Sequence, residues 1–242
     1  PLGSINDLTV VMLLTHYLKE TVMSSITKVK KIAKVINTLV TGNSDVVVTV
    51  GGSIAFSEGG RINIPFGDFS NPEYMRMCHG YIDHETGHEA WTEHDTMVLM
   101  RSRYGEFGAR IQNALEDARM EKLQGQRFPG AKINLETLWE DMIAKGYIIN
   151  PFEMKEFGRV IFSYVNNTAR RMVCGYVNNY SDAGYEVLSA QLGNAFVDEL
   201  TALIQNTVNA KSTHDVYNIA CEICELLQQQ EEQPPTDQSD ES

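Results

Sequence analysis

The sequence predicts a predominantly helical α+β fold with a small antiparallel sheet near the front, and three observations support it. Apolar residues recur at spacings of three and four over most of the chain, which is the period of an amphipathic helix. Residues 46–66 are instead rich in β-branched residues and glycine turns. A single His-Glu-x-x-His motif follows at residues 84–88. We therefore expect a sheet, a two-helix metal core and a C-terminal helical region in one domain of residues 5–228.

The first part of the chain predicts one long helix followed by three short strands. Helical spacing of apolar residues extends over residues 7–39, and the polar run 41–45 ends it. Residues 46–50 are β-branched enough to form a strand. Residues 54–57 and 61–66 flank a Glu-Gly-Gly turn and predict a hairpin. Such a hairpin can be purely structural, or its edge strand can pair with an extended peptide.

The helix that carries the motif has its own start signal, Ser70-Asn-Pro-Glu73, with Ser70 as the capping side chain. Residues four apart lie on the same face of a helix, so His84 and His88 can bind one metal ion. In zinc hydrolases two such histidines are ligands, a third ligand comes from elsewhere, and the motif glutamate takes a proton from the attacking water. The motif therefore predicts a Zn²⁺ site with Glu85 as the catalytic base, in a zincin-like core.

A helix through residues 111–121 supplies the candidates for the third ligand. A carboxylate on a following helix is a common third ligand of zinc, and Glu116 is the first candidate and Asp117 the second. Only one of them can face the histidines, because adjacent helix positions point in different directions. Glu121, one turn beyond Asp117, is a candidate acceptor for a histidine N–H.

The remainder predicts helices at residues 134–145, 151–180, 185–206 and 213–228. Arg170, Arg171 and Tyr176 are candidates for stabilising a developing oxyanion. Residues 229–242 lack apolar side chains, which predicts an acidic, disordered tail or linker. Residues 1–4, Pro-Leu-Gly-Ser, have the sequence of an expression-tag scar and are excluded from the fold.

Composition restricts the partners and the compartment. A net charge of −12 argues against duplex DNA or an anionic membrane surface as a partner, so we expect no nucleic acid and no membrane. The chain shows no apolar run of transmembrane length and no signal peptide. Four cysteines without a disulfide framework suit a reducing cytoplasm. The expectation is a cytoplasmic protein that acts on a protein or peptide.

One short part of the chain carries a resemblance. The run Asn113-Ala-Leu-Glu-Asp-Ala-Arg-Met-Glu121, followed by Phe128-Pro-Gly-Ala-Lys-Ile-Asn-Leu135, resembles the amino-terminal region of the CobT-type cobaltochelatase subunit. It is also similar to bacterial and phage relatives that are gluzincin-like and associated with von Willebrand factor A domains. The resemblance implies that Glu116, Arg119 and Glu121 are family positions. It also implies an AAA+ ATPase or von Willebrand factor A partner in a bacterial cytoplasm.

Two functions are consistent with these observations. The first is a zinc-dependent metallopeptidase, in which a metal-activated water hydrolyses a peptide bond. The second is a non-catalytic, metal-binding adaptor module of a chelatase-type assembly, which the resemblance implies. Glu85 discriminates between them, because an adaptor has no use for a general base and a hydrolase requires one. We therefore favour the enzyme.

Overall fold

The structure is a computed structural model that describes residues 7–232 of the chain. The chain divides into two compact units. The first unit takes in the residues up to Ala90 together with Gln124–Lys145, and the second takes in Trp91–Leu123 together with the residues from Gly146 onwards. The prediction of one domain over residues 5–228 stays a prediction, since one domain can contain two compact units.

Helices make up most of the described range, which confirms the prediction of a predominantly helical α+β fold with a small sheet. No described helix is long and apolar enough to cross a membrane. In chain order the elements are α1 (Asp7–Thr41), β1 (Val47–Val50), β2 (Phe56–Glu58), β3 (Arg61–Ile64), α2 (Pro72–Trp91), α3 (Asp95–Arg127), α4 (Pro129–Ala144), α5 (Phe157–Cys174), α6 (Tyr180–Leu192), α7 (Asn194–Gln205) and α8 (Thr213–Glu232).

The sheet is mixed, so the prediction of an antiparallel sheet is wrong for β1. The strand order is β1-β3-β2, with β1 parallel and β2 antiparallel to the central β3. The parallel pairing continues past β1, because the Gly51 N–H donates to the Ile64 carbonyl at 3.0 Å. The hairpin turn was correctly predicted from its glycines, but alternation of residues does not reveal which strand lies on the far side of β3.

The first unit has a small core shared by α1, the sheet and α2. Apolar side chains fill it, and the central strand β3 contributes two of them. The amide of Asn63, between those two, donates to the Gly51 and Ile54 carbonyls at 2.9 and 2.8 Å. Through this core the motif helix packs against α1 and the sheet. The buried apolar residues of the core are Val29, Ala33, Val46, Ile62, Ile64, Phe69, Cys78 and Ile82.

The second unit has a larger core, built from α3 and α5–α8. Its helices are shorter than predicted, because Gly175 and Gly193 interrupt the predicted helices 151–180 and 185–206. Both glycines have a positive φ, of 79° and 81°, which L-residues rarely adopt. Gly105 also interrupts α3, which extends beyond the predicted helix 111–121 at both ends.

The predicted chain ends fall mostly beyond the described range. Residues 1–4 and 233–242 lie outside it. Helix α8 continues to Glu232, past its predicted end at residue 228, so the first residues of the predicted tail are helical.

Candidate metal centre

The helix that carries the motif begins at Pro72, as predicted, but with a different cap. The side-chain oxygen of Asn71 accepts a hydrogen bond from the Glu73 N–H at 2.8 Å, which is the usual cap geometry. The predicted cap, Ser70, instead donates to the carboxylate of Asp68 at 2.6 Å. The Ser-Asn-Pro-Glu signature thus predicted the helix start and missed the capping residue by one position.

The motif histidines converge on the same face of α2. Their Nε2 atoms are 3.2 Å apart, and their rings meet edge to face with centroids 4.8 Å apart and an interplanar angle of 82°. Both rings are half-buried. The i, i+4 spacing of His84 and His88 has therefore brought two ring nitrogens together, as the sequence predicts.

Glu85, the predicted base, is buried on the same helix, with 4% of its surface exposed. It adjoins His84 in the chain, so its side chain leaves α2 about 100° from that of His84. Other side chains of the first unit hold this part of α2 in place. Asp83 accepts a hydrogen bond from Asn134 of α4 at 2.7 Å, and Glu89 accepts one from Ser57 of β2. Asp83 and Glu89 are therefore occupied by neighbours within the first unit.

Glu116 lies on α3 at the centre of a buried hydrogen-bond group in the second unit. Arg119, one turn later, binds both of its oxygens, at 2.8 and 2.5 Å. The hydroxyls of Thr92 and Thr213 donate to Oε1 at 2.9 and 3.0 Å. Arg119 also donates to the Trp91 carbonyl at 2.5 Å. Both oxygens of Glu116 thus already accept hydrogen bonds from within this unit.

Asp117 belongs to a different buried group of the same unit. Its carboxylate accepts from the Asn113 amide at 3.1 and 3.2 Å and from Arg170 of α5 at 3.0 Å. The same guanidinium donates to Glu121 at 3.0 Å, so Arg170 lies between two carboxylates. Glu121 therefore binds Arg170 within this unit, and its predicted contact with a histidine stays a prediction.

In the buried group of Asp117, Glu121 and Arg170, charge and burial shift the pKa values of Arg170 and of nearby Tyr176. Burial acts to lower the pKa of Arg170, but the charges of Glu121 and Asp117 outweigh it, and the pKa lies above its ordinary value. Burial raises the pKa of Tyr176 well above its usual range, and the nearby charge of Glu121 raises it further. Arg170 stays charged and Tyr176 stays neutral at any ordinary pH. Arg170, a candidate for oxyanion stabilisation, thus forms ion pairs with two carboxylates of its own unit.

The sequence identified the histidine pair, Glu85 and both carboxylates, but it missed the groups that bind those carboxylates. Thr92 and Thr213 carry no motif, and no signal in the sequence singles them out. Arg119 had a signal, since it follows Glu116 by one helical turn. Such a pair on a buried helix face is the pattern that could have predicted this contact.

Comparisons of the chain with protein-family models, with curated proteins and with solved structures give no match.

Proposed function

We propose that the protein is a zinc-dependent metallopeptidase, and the geometry of His84 and His88 is the observation that carries the proposal. Two nitrogens bound to one tetrahedral zinc ion at about 2.0–2.1 Å lie about 3.3–3.4 Å apart. The separation of 3.2 Å between the two Nε2 atoms fits this requirement without a change of rotamer. Imidazole nitrogens and a carboxylate are also the donor set that catalytic zinc sites use.

The ion pairs of the second unit favour Asp117 over Glu116 as the third ligand. Glu116 and Arg119 form a one-to-one pair, whose charges cancel. Asp117 instead shares the guanidinium of Arg170 with Glu121. A carboxylate that shares a guanidinium gives up less on binding a cation than one that has a guanidinium to itself, because breaking a buried one-to-one pair leaves a charge without its partner. We therefore propose that His84, His88 and Asp117 hold the metal, which reverses the order that the sequence suggests.

Glu85 is the residue that we propose as the general base. When bound, zinc supplies a Lewis acid that lowers the pKa of water and polarises a carbonyl group. Glu85 accepts the proton of the attacking water at its carboxylate, and the same residue can return a proton to the departing amine. Its burial keeps bulk water away from that carboxylate, which strengthens the electrostatic interactions that it makes.

The sheet supports a peptide as the substrate. β2 is an edge strand that hydrogen bonds to β3 on one side, and no other strand of the described range pairs with it. Ser57 of β2 donates to Glu89, which follows His88 on α2, so the edge strand is attached to the motif helix. An extended peptide can add to such an edge through main-chain hydrogen bonds.

The test combines metal content with substrate cleavage. His84→Ala should abolish stoichiometric zinc, whereas His94→Ala, a histidine outside the motif, should retain it. Asp117→Asn should weaken zinc retention more than Glu116→Gln does. Glu85→Gln should keep its zinc and lose about a hundredfold to ten-thousandfold in rate, as is usual when a general base is removed. Metal content is measured by elemental analysis after zinc loading.

Cleavage is measured by comparing new protein termini in cells that express the wild type or Glu85→Gln. If both produce the same termini while zinc binding is intact, the peptidase proposal is wrong. Stable association with an AAA+ ATPase or a von Willebrand factor A protein would then support the adaptor function. Absence of stoichiometric zinc from the wild type would contradict both functions.

A further inference from the structure

A cavity of about 190 Å³ lies in the second unit, lined by α3, α5 and the segment between α4 and α5. Its volume is below the roughly 300–1,000 Å³ of pockets for drug-sized ligands, so it admits a group about as large as one amino-acid residue. Apolar side chains form one part of its wall, among them Ile148, Met154 and Phe162. The cavity therefore selects a small ligand with an apolar part.

Two arginines line the same cavity, and their charges are not neutralised by neighbouring acids. Arg110 lies over the ring of Phe162, with its guanidinium carbon 4.4 Å from the ring centroid. Within residues 20–230, neither Arg110 nor Arg159 forms an ion pair with a carboxylate. Two guanidinium groups without acidic partners favour an anion, and a carboxylate or phosphate suits their geometry.

The floor of the cavity has a buried acceptor that lacks a donor. Asn167 is completely buried, and its amide nitrogen donates to the carbonyl and hydroxyl oxygens of Ser163 at 2.8 and 3.2 Å. The carbonyl can only accept, so this contact identifies the nitrogen of the amide. The Asn167 side-chain oxygen has no hydrogen-bond partner in the described chain. A buried acceptor in this state costs about 1–3 kcal/mol, and a ligand N–H or O–H would remove that cost.

We propose that this cavity binds the carboxyl-terminal residue of a peptide with an apolar side chain. The carboxylate binds Arg110 and Arg159, the amide N–H donates to Asn167, and the side chain packs against the apolar wall. Inorganic phosphate can bind both arginines, but it has no apolar group to pack against the apolar wall of the cavity. This site is separate from the proposed metal centre, and a peptide can bind it whether or not zinc is present.

Calorimetric titration with N-acetyl-L-leucine tests the proposal, with N-acetyl-L-leucine amide and inorganic phosphate as comparisons. The acid should bind, and the amide should bind at least about tenfold more weakly, because it lacks the charge-assisted hydrogen bonds of a carboxylate. Arg110→Met and Arg159→Met should each weaken binding of the acid by a similar factor. Both arginines are exposed, so these changes should leave the fold intact.

Arg171→Met is the matched control, because Arg171 pairs with Asp182 at the surface and does not line the cavity. It should bind the acid as the wild type does. Equal binding of the acid and the amide, or tighter binding of phosphate than of the acid, would overturn the proposal. Failure of the wild type to bind the acid would overturn it as well, and would leave the zinc proposal unaffected.

Discussion

The arginines that form ion pairs lie in different surroundings in the two units. In the first unit Arg76 pairs with Asp141, and nearby Lys145 pairs with Glu73, at the surface of α2 and α4. In the second unit, Arg119 and Arg170 are buried with their carboxylates, and their side chains are 4% and 5% exposed. Surface pairs contribute little to stability, whereas breaking a buried pair leaves a charge without water or partner. We therefore expect substitutions of Arg119 or Arg170 to destabilise the second unit more than substitutions of these surface pairs destabilise the first.

The largest expected effect comes from Arg170→Met, which leaves Asp117 and Glu121 buried without their guanidinium. We expect a loss of about 3–5 kcal/mol in the free energy of unfolding, the usual cost of breaking a buried ion pair. Denaturant unfolding followed by circular dichroism measures it. The adjacent Arg171→Met removes an exposed pair and should cost under about 1 kcal/mol. Equal losses for the two variants would contradict the difference between buried and surface charges.

A smaller effect is expected from Gly80→Ala, which tests close packing in the first unit. A Cβ at Gly80 would lie 2.5 Å from the Leu138 Cβ and 2.9 Å from the Asn134 carbonyl, so α2 and α4 would have to move apart. Overpacking of this kind costs about 1–3 kcal/mol, measured by thermal unfolding. Gly130→Ala on α4 meets nothing within 4 Å and should not be destabilising. A neutral Gly80→Ala would mean that the helices adjust easily.

The smallest effect concerns pH and the surface pair of Glu73 and Lys145. The hydrogen bond from Lys145, and then its charge, lower the pKa of Glu73 below its ordinary value of 4.5. A lowered pKa contributes stability above pH 4.5, and this is lost as the pH falls through the folded-state pKa. Lys145→Met should therefore destabilise slightly at pH 7 and less so at pH 3. Unfolding curves at both pH values measure this, and a difference of the same size at pH 3 would argue for a packing effect.

Local signals in the sequence predicted the elements well, and the histidine pair best of all. The spacing of His84 and His88 is a property of one helix, so a separation of four residues and a helix start were sufficient to predict that their rings meet. The hairpin of β2 and β3 was local in the same sense, since its turn residues adjoin both strands.

Contacts between distant parts of the chain were not predictable in this way. Arg170 follows Asp117 by 53 positions and Thr213 follows Glu116 by 97, and no periodic pattern connects residues so far apart. The direction of β1 was missed for a related reason, because it depends on the path of the chain around β3. The predicted helix 151–180 is divided at Met154 and Glu156, where the backbone is extended, and it ends at Gly175, where φ is positive. The spacing of apolar residues continues through these positions, whereas the helix does not.

The buried guanidinium groups also have a consequence for the response to heat. Removing charged groups from water becomes less costly as temperature rises, because their hydration carries a strongly negative entropy. Hydrophobic stabilisation per unit of buried area levels off over the same range. The two arginine groups of the second unit, Arg119 with Glu116 and Arg170 with Asp117 and Glu121, therefore oppose folding less at high temperature than at room temperature. The surface pairs of Arg76 with Asp141 and of Lys145 with Glu73, whose charges stay in water, gain little from this change.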